Sequence, residues 1–347
     1  MNSLSAPLVS IVTPVHSGAE YLSECIESVL AQTYQNWTYT IVDNCSTDSS
    51  VEIAQRYASR DPRIRVHQNP QFLRAIPNHN AAFRLISPAS KYCKVVFADD
   101  WIFPECLERM IAVAEEFPAA GIIGAYVLEG RDVICTGLPY QDRFLTGRDI
   151  CRQHLLNELY VFGSANSLLY RADLVRSKDP FLNESNIHAD TEVCFELLKH
   201  SGFGFVHQVL SFTRVRTGSL TAASNDMQTC CAGTLQILLS HGRDYLTNEE
   251  LEALVVNHLT GYYRFLGKSL LRGRKDTLRY HKDILSKTKF GFSWPRVVQG
   301  AASTLLGLAL DPRGTSEKLL KKSSNLAKNE RNDLSGQAAV HKRDTIG

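Results

Sequence analysis

The first hundred residues alternate between short apolar runs and stretches of helical spacing, and acidic residues fall where the runs stop. Residues 8–13, LVSIVT, read as a buried strand stopped by Pro14. Residues 20–31 then place Tyr21, Leu22, Cys25, Ile26, Val29 and Leu30 on one helical face. Residues 38–42 form a second strand ending in Asp43. Ser49 with Glu52 reads as a capping box opening a helix to about residue 59. A short strand at 64–67, a helix at 78–86 and a strand at 92–97 ending in Asp99-Asp100 follow, and Pro104 suits the first turn of the next helix. This rhythm requires a mainly parallel sheet covered on both faces. Ligands of such sheets bind beyond the carboxyl ends of the strands, which is where Asp43 and Asp99-Asp100 fall.

Farther on, residues 121–128, 133–134 and 203–210 are strand-like, and 171–176 and 191–199 helical. Residues 225–287 are almost continuously helical in character, so a boundary is expected near 222–226. The expected organisation is a catalytic α/β domain over 1–225, with a nucleotide half at about 7–100 and an acceptor half at 101–225. A helical extension over 226–290 follows, then an amphipathic segment and a disordered, lysine-rich tail over 291–347.

Net charge is +2, which leaves no basic field for nucleic acid. Nine scattered cysteines without a CxxC pair argue against structural zinc and for reduced thiols in a cytoplasmic protein. No basic-then-apolar leader opens the sequence, and no apolar run reaches the roughly 18 residues of a membrane span. Residues 297–310, preceded by Arg296, suit an interfacial or core helix, so peripheral contact with the inner face of the cell membrane is a further expectation.

Three stretches carry a specific resemblance. Thr13-Pro14, Ser28-Val29-Leu30-Ala31-Gln32-Thr33 and Asp43-Asn44-Cys45-Ser46-Thr47-Asp48, in that order, resemble the opening of the inverting family 2 glycosyltransferases, which have the GT-A fold. Asn44-Cys45 replaces the usual Asp-Gly. The resemblance extends over about residues 7–221. It implies a GT-A type, Rossmann-like α/β fold and transfer of a sugar from a nucleoside-diphosphate donor to a hydroxyl. It gives Asp43 to the base or ribose, a role that suits an acceptor-only carboxylate; alone, Asp43 and Asp48 read equally as turn and cap residues.

Residues 95–104, VVFADDWIFP, resemble the family's DxD region, with Asp99 at the last carboxylate position and Phe97 at the first. The resemblance implies Mg²⁺ or Mn²⁺ held at Asp99 and Asp100 and by the diphosphate oxygens. Asn78-His79-Asn80-Ala81-Ala82 resembles the stretch lining the nucleotide, which adds Asn80 to Thr13 and Pro14 on the donor side. Residues 187–198 resemble the acidic start of the acceptor helix, where Asp190 matches the general base; its plain reading is a helix N-cap. In 214–221, RVRTGSLT, Arg216 stands where histidine is usual, and a guanidinium has no lone pair for a metal, so it is read as a diphosphate clamp.

A sugar nucleotidyltransferase would need a glycine-rich loop after the first strand, and Thr13-Pro14-Val15-His16-Ser17-Gly18 is not one. The remaining alternative is a catalytically degenerate binding or scaffold protein, favoured by Phe97 and Asn44-Cys45 and opposed by Asp43, Asp99 and Asp190 together. A UDP-sugar is the default donor, with thymidine and guanosine diphosphate sugars as competitors. The acceptor is expected to be a glycan or glycolipid of surface polysaccharide synthesis.

Overall fold

The computed structural model describes residues 6–310; the expected disordered tail lies outside them. Ten strands form one sheet: β1 (Val9–Val15), β2 (Trp37–Asp43), β3 (Ile64–Gln68), β4 (Tyr92–Val95), β5 (Trp101–Ile102), β6 (Ala120–Glu129), β7 (Asp132–Ile134), β8 (Phe144–Thr146), β9 (Leu169–Arg171) and β10 (Gly202–Thr213). The helices are α1 (Ala19–Leu30), α2 (Ser50–Ala58), α3 (Ala75–Arg84), α4 (Cys106–Glu116), α5 (Gly147–Leu155), α6 (Ala172–Arg176), α7 (Ala189–Leu198), α8 (Leu220–Met227), α9 (Cys230–Tyr245), α10 (Asn248–Leu271), α11 (Lys275–Ser286) and α12 (Trp294–Leu310).

The main path of the sheet runs β3-β2-β1-β4-β9-β6-β10-β5. Its first four strands are parallel, and strand order reverses between β1 and β4, the kind of crevice where open α/β sheets take ligands. The second half is mixed: β9 runs antiparallel to both β4 and β6, while β6 and β10 are parallel. α1 buries Leu22, Cys25, Ile26 and Val29 against the same core as Ile11, Tyr39 and Leu107. Burying four such side chains contributes several kcal/mol, at roughly 1.5–3 kcal/mol for a Leu, Ile or Val.

Two local expectations are corrected. β1 does not stop at Pro14 but continues to Val15, pairing Pro14 with Val42. Val15 O accepts from Asn44 on the β2 side, whereas Val12 O accepts from Val96 on the β4 side. By alternation the nitrogen of Pro14 faces the β4 side beyond that strand's last residue, Val95, so the missing N–H breaks no ladder bond. The Ser49–Glu52 capping box does not form; instead Asp48 Oδ1 accepts from the backbone N–H of Ser50 at 3.0 Å.

The described residues divide into compact units over 6–255 and 256–310. Two contacts tie α9 and the start of α10 into the first. Tyr245 on α9 is buried and its hydroxyl donates to Phe195 O on α7, and Arg152 on α5 forms two 2.5 Å bonds to Glu250. In the second unit, Gly267 of α10 and Gly300 of α12 let two helix backbones touch. A Cβ at Gly300 would lie 2.2 Å from Tyr263 O, and one at Gly267 would lie 2.1 Å from Ala301 N. The same unit carries a groove of about 440 Å³ lined by Tyr263, Arg264 and Arg296 among others, and an exposed apolar stripe of Trp294, Val298 and Leu305 on α12. No helix among the described residues is long and apolar enough to cross a membrane.

Candidate functional site

Parallel pairing brings the first acidic positions to one edge. Val15 pairs with Asp43, Asp43 with Gln68, and Val12 with Val95, so Asp43 and the loop 96–100 leave the sheet in the same direction. Asp43 is 2% exposed, and both carboxylate oxygens accept from Ser46 N–H at 3.3 Å, a long contact that a ligand donor would readily share. Thr13 and Pro14 lie beneath this edge. Thr13 is fully buried; its hydroxyl donates to Val96 O at 2.6 Å and meets Tyr39 Oη at 2.8 Å, so it ties β1 to the acidic loop. Pro14 lines an apolar crevice with His79, Phe83 and Phe97.

Asp99 and Asp100 point different ways. Asp100 is 4% exposed and accepts from the backbone N–H of Arg214 at 2.9 Å and from Asn166 Nδ2 at 3.2 Å. Burial pushes its carboxyl up to about 7. Asp99 faces outward, and its Oδ2 lies 2.8 Å from both Nε and Nη2 of Arg216. Arg214 adds a bond from Nε to Asp99 O at 3.1 Å, pairs with Glu24, and sits 4.3 Å above the Tyr21 ring.

Phe97, at the position of the missing carboxylate, stacks on His79 with ring centroids 5.2 Å apart, and burial holds that imidazole down to about 4. Its side chain therefore packs into the crevice. Asn80, expected on the donor side, has partners of its own in the fold. It is 1% exposed, donates to Leu182 O at 2.9 Å and accepts from Leu182 N–H at 2.8 Å, so it anchors the loop before α7.

Asp190 lies in the first turn of α7, partly buried, with Oδ1 accepting from its neighbour Thr191 N–H at 2.8 Å. It is not the N-cap; His188 holds that position. Burial raises its carboxyl above the ordinary range, which suits a group that must take up a proton near neutral pH.

The residues at the expected metal position fit a divalent ion poorly. Asp99 is the one expected carboxylate that faces outward, and it already carries a guanidinium; Asp100 is turned inward. A different group, Glu192 and Glu196 on α7 with His241 on α9, brings three ligand atoms within 4.8 Å of one another. There Glu192 accepts from Asn183 and Asn186, and Lys178 already supplies Glu196 with a cation.

Sequence reasoning missed Lys94 and Asn166. Lys94 is fully buried in β4, where its Nζ donates to Asn166 O and to Leu168 O, and burial lowers its pKa. A lysine inside an otherwise apolar strand, YCKVV, was the available signal.

A mixed sheet of this order, with its first four strands parallel and β9 antiparallel between β4 and β6, has the GT-A fold. The family model described as glycosyl transferase family 2 matches residues 10–176. It is 26% identical over 310 residues to glycosyltransferase GlyG of Streptococcus pneumoniae serotype 4, covering 82% of this chain and 96% of that protein. The fold is similar to that of S. aureus TarS 1–349 in complex with UDP-GlcNAc, with a TM-score of 0.61, 16% identity and 80% of each chain covered. It is also similar to the mannosyltransferase PcManGT of Pyrobaculum calidifontis in complex with GDP-Man and Mn²⁺, with a TM-score of 0.53, 14% identity, and 89% of this chain and 81% of that one covered.

Proposed function

We propose that the protein moves a sugar from a nucleoside-diphosphate donor to a hydroxyl of a glycan or glycolipid acceptor, with inversion at the anomeric carbon. The observation that carries the proposal is that the segment matching the family holds Asp43 and Asp99 at one edge of its parallel sheet. Asp43 takes the nucleoside and the Asp99–Arg216 corner faces the diphosphate. The acceptor oxygen bonds to the anomeric carbon, the bond from that carbon to the phosphate oxygen breaks, and Asp190 receives the acceptor's proton. A single displacement inverts the centre and needs no covalent enzyme intermediate. The Mg²⁺ or Mn²⁺ implied by the resemblance has Asp99 alone to hold it, and no step here runs through it.

A UDP-sugar is the default donor, in keeping with the UDP-GlcNAc bound to TarS; GDP-sugars, as in PcManGT, and thymidine diphosphate sugars are the competitors. The exposed apolar stripe of α12 beside Arg296 supports peripheral contact with the inner face of the cell membrane, and hence a lipid-carried acceptor of surface polysaccharide synthesis. The test is nucleotide release from a panel of donor sugars with lipid-linked and free glycan acceptors, with the product anomer read by NMR. Inversion with one donor class supports the proposal. Retained configuration overturns the mechanism. Absence of turnover, together with intact cellular glycan synthesis in an Asp190→Asn strain, points to a scaffold.

A further inference from the structure

The corner where the diphosphate would sit is built around guanidinium groups. Arg216 presents Nε and Nη2 to one oxygen of Asp99, leaving Nη1 and part of its fork for a second anion. Arg214 reinforces the corner from the other side: its backbone N–H holds Asp100, its Nε holds the carbonyl of Asp99, and its guanidinium lies on Tyr21, where the Arg216 guanidinium also comes within 5.9 Å. Phe97 is packed on His79 and cannot add a negative charge.

These features alter charge in one direction. Phe97 removes one carboxylate from the expected acidic motif, and Arg216 puts a permanent positive charge where a neutral imidazole was expected. Together they change the local charge by about two positive units, the charge of one divalent ion. A cation approaching Asp99 would find one carboxylate, already neutralised, and a fixed positive charge beside it. That fixed charge repels a divalent ion twice as strongly as a monovalent one at the same distance.

We propose that Arg216, buttressed by Arg214, supplies the positive charge opposite the donor diphosphate, so that this chain binds and activates its donor without a divalent cation. The inference rests on the glycosyl-transfer reading above. In the transfer step the electron pair of the broken bond between the anomeric carbon and oxygen leaves on the diphosphate. Arg216 then bridges that oxygen anion and Asp99, while the acceptor's proton goes to Asp190.

The test is titration of the full-length chain with UDP, GDP and TDP, followed by calorimetry and thermal shift, first in EDTA and then in MnCl₂. One nucleotide is expected to bind in EDTA with an affinity within about threefold of its value in Mn²⁺. Arg216→Gln should weaken that diphosphate by about 10- to 100-fold, the cost of lost charge-assisted bonds. The affinity of the free nucleoside should not change, which a merely structural role for Arg216 would not predict. Arg216→Lys, which keeps the charge and preserves the fold if the glutamine variant does not, should retain binding in EDTA within about tenfold of the parent. The double substitution Phe97→Asp, Arg216→His should make nucleotide binding depend on Mn²⁺. Binding that requires Mn²⁺ in the unaltered chain overturns this inference and leaves the transferase reading standing. Binding of no nucleotide under either condition overturns both.

Discussion

Asn166 donates its side-chain amide to Asp100 across 66 residues of sequence, at 3.2 Å, while its own backbone carbonyl accepts from the buried ammonium of Lys94. The 3-10 turn at Ala165–Ser167 is thus a relay between the interior of β4 and the acidic loop at the strand's end. Lys94→Met should leave the carbonyls of Asn166 and Leu168 without their donor and cost about 1–3 kcal/mol of stability. Nucleotide affinity should fall with it, because the turn that seats Asp100 is released. Denaturant unfolding and nucleotide titration of the same variant check both effects; a stability loss with unchanged affinity would detach Lys94 from the site.

Asp190→Asn should remove the proton acceptor and leave the fold nearly untouched, since the amide oxygen can still take the Thr191 N–H. Turnover is expected to fall by about 10²–10⁴-fold with nucleotide affinity unchanged. Because burial raises the carboxyl's pKa, the acidic limb of the pH–rate profile should lie above the ordinary carboxylate range near 4. A limb at 4 or below would mean that another group takes the proton.

Two histidines are held neutral by burial, His79 against Phe97 and His154 against Phe162, each pushed down to about 4. In the unfolded chain they titrate near 6.5. Below that pH the unfolded state takes up protons that the folded state refuses. Their contribution is therefore complete above about pH 6.5 and is lost as pH falls toward 4, by at most about 1.4 kcal/mol per pH unit for each. The midpoint of thermal unfolding should decline over that window, and His154→Phe should flatten the decline. An equally steep decline in that variant would place the linkage elsewhere.

Gly147 opens α5 directly against the end of α7: a Cβ there would lie 1.8 Å from Leu198 O and 2.4 Å from Ser201 O. Both obstacles are backbone, so the helices must separate. Gly147→Ala should destabilise the first unit by about 1–3 kcal/mol or more. It should also lower turnover more than nucleotide affinity, because α7 carries Asp190 while Asp43 stands on β2. Chemical denaturation and a comparison of kcat with nucleotide affinity decide it.

The parallel half of the sheet was legible because burial on both faces writes continuous apolar runs, and the helices between them keep one apolar stripe. Asp43 and Asp99 could be placed at strand ends for the same reason. The antiparallel pairing of β9 was not legible, because its position between β4 and β6 depends on partners far away in sequence. The burial of Asn80 was not legible, because an exposed and a buried asparagine are written identically; only the fold shows its bonds to Leu182. Arg216 was read as a diphosphate clamp, but its pairing with Asp99 is a tertiary fact that spacing does not carry.

Asp99 and Asp100 meet Arg216 and Arg214 across 117 and 114 residues. During synthesis, the parallel half can pack as soon as β4 emerges, since its partners are already made. The acidic loop then waits, with its charges unopposed, until β10 and the arginines behind it have left the ribosome. The closing of this corner is therefore the last event in building the sheet's edge, and a chain interrupted before Arg214 would lack the arginine partners of both carboxylates.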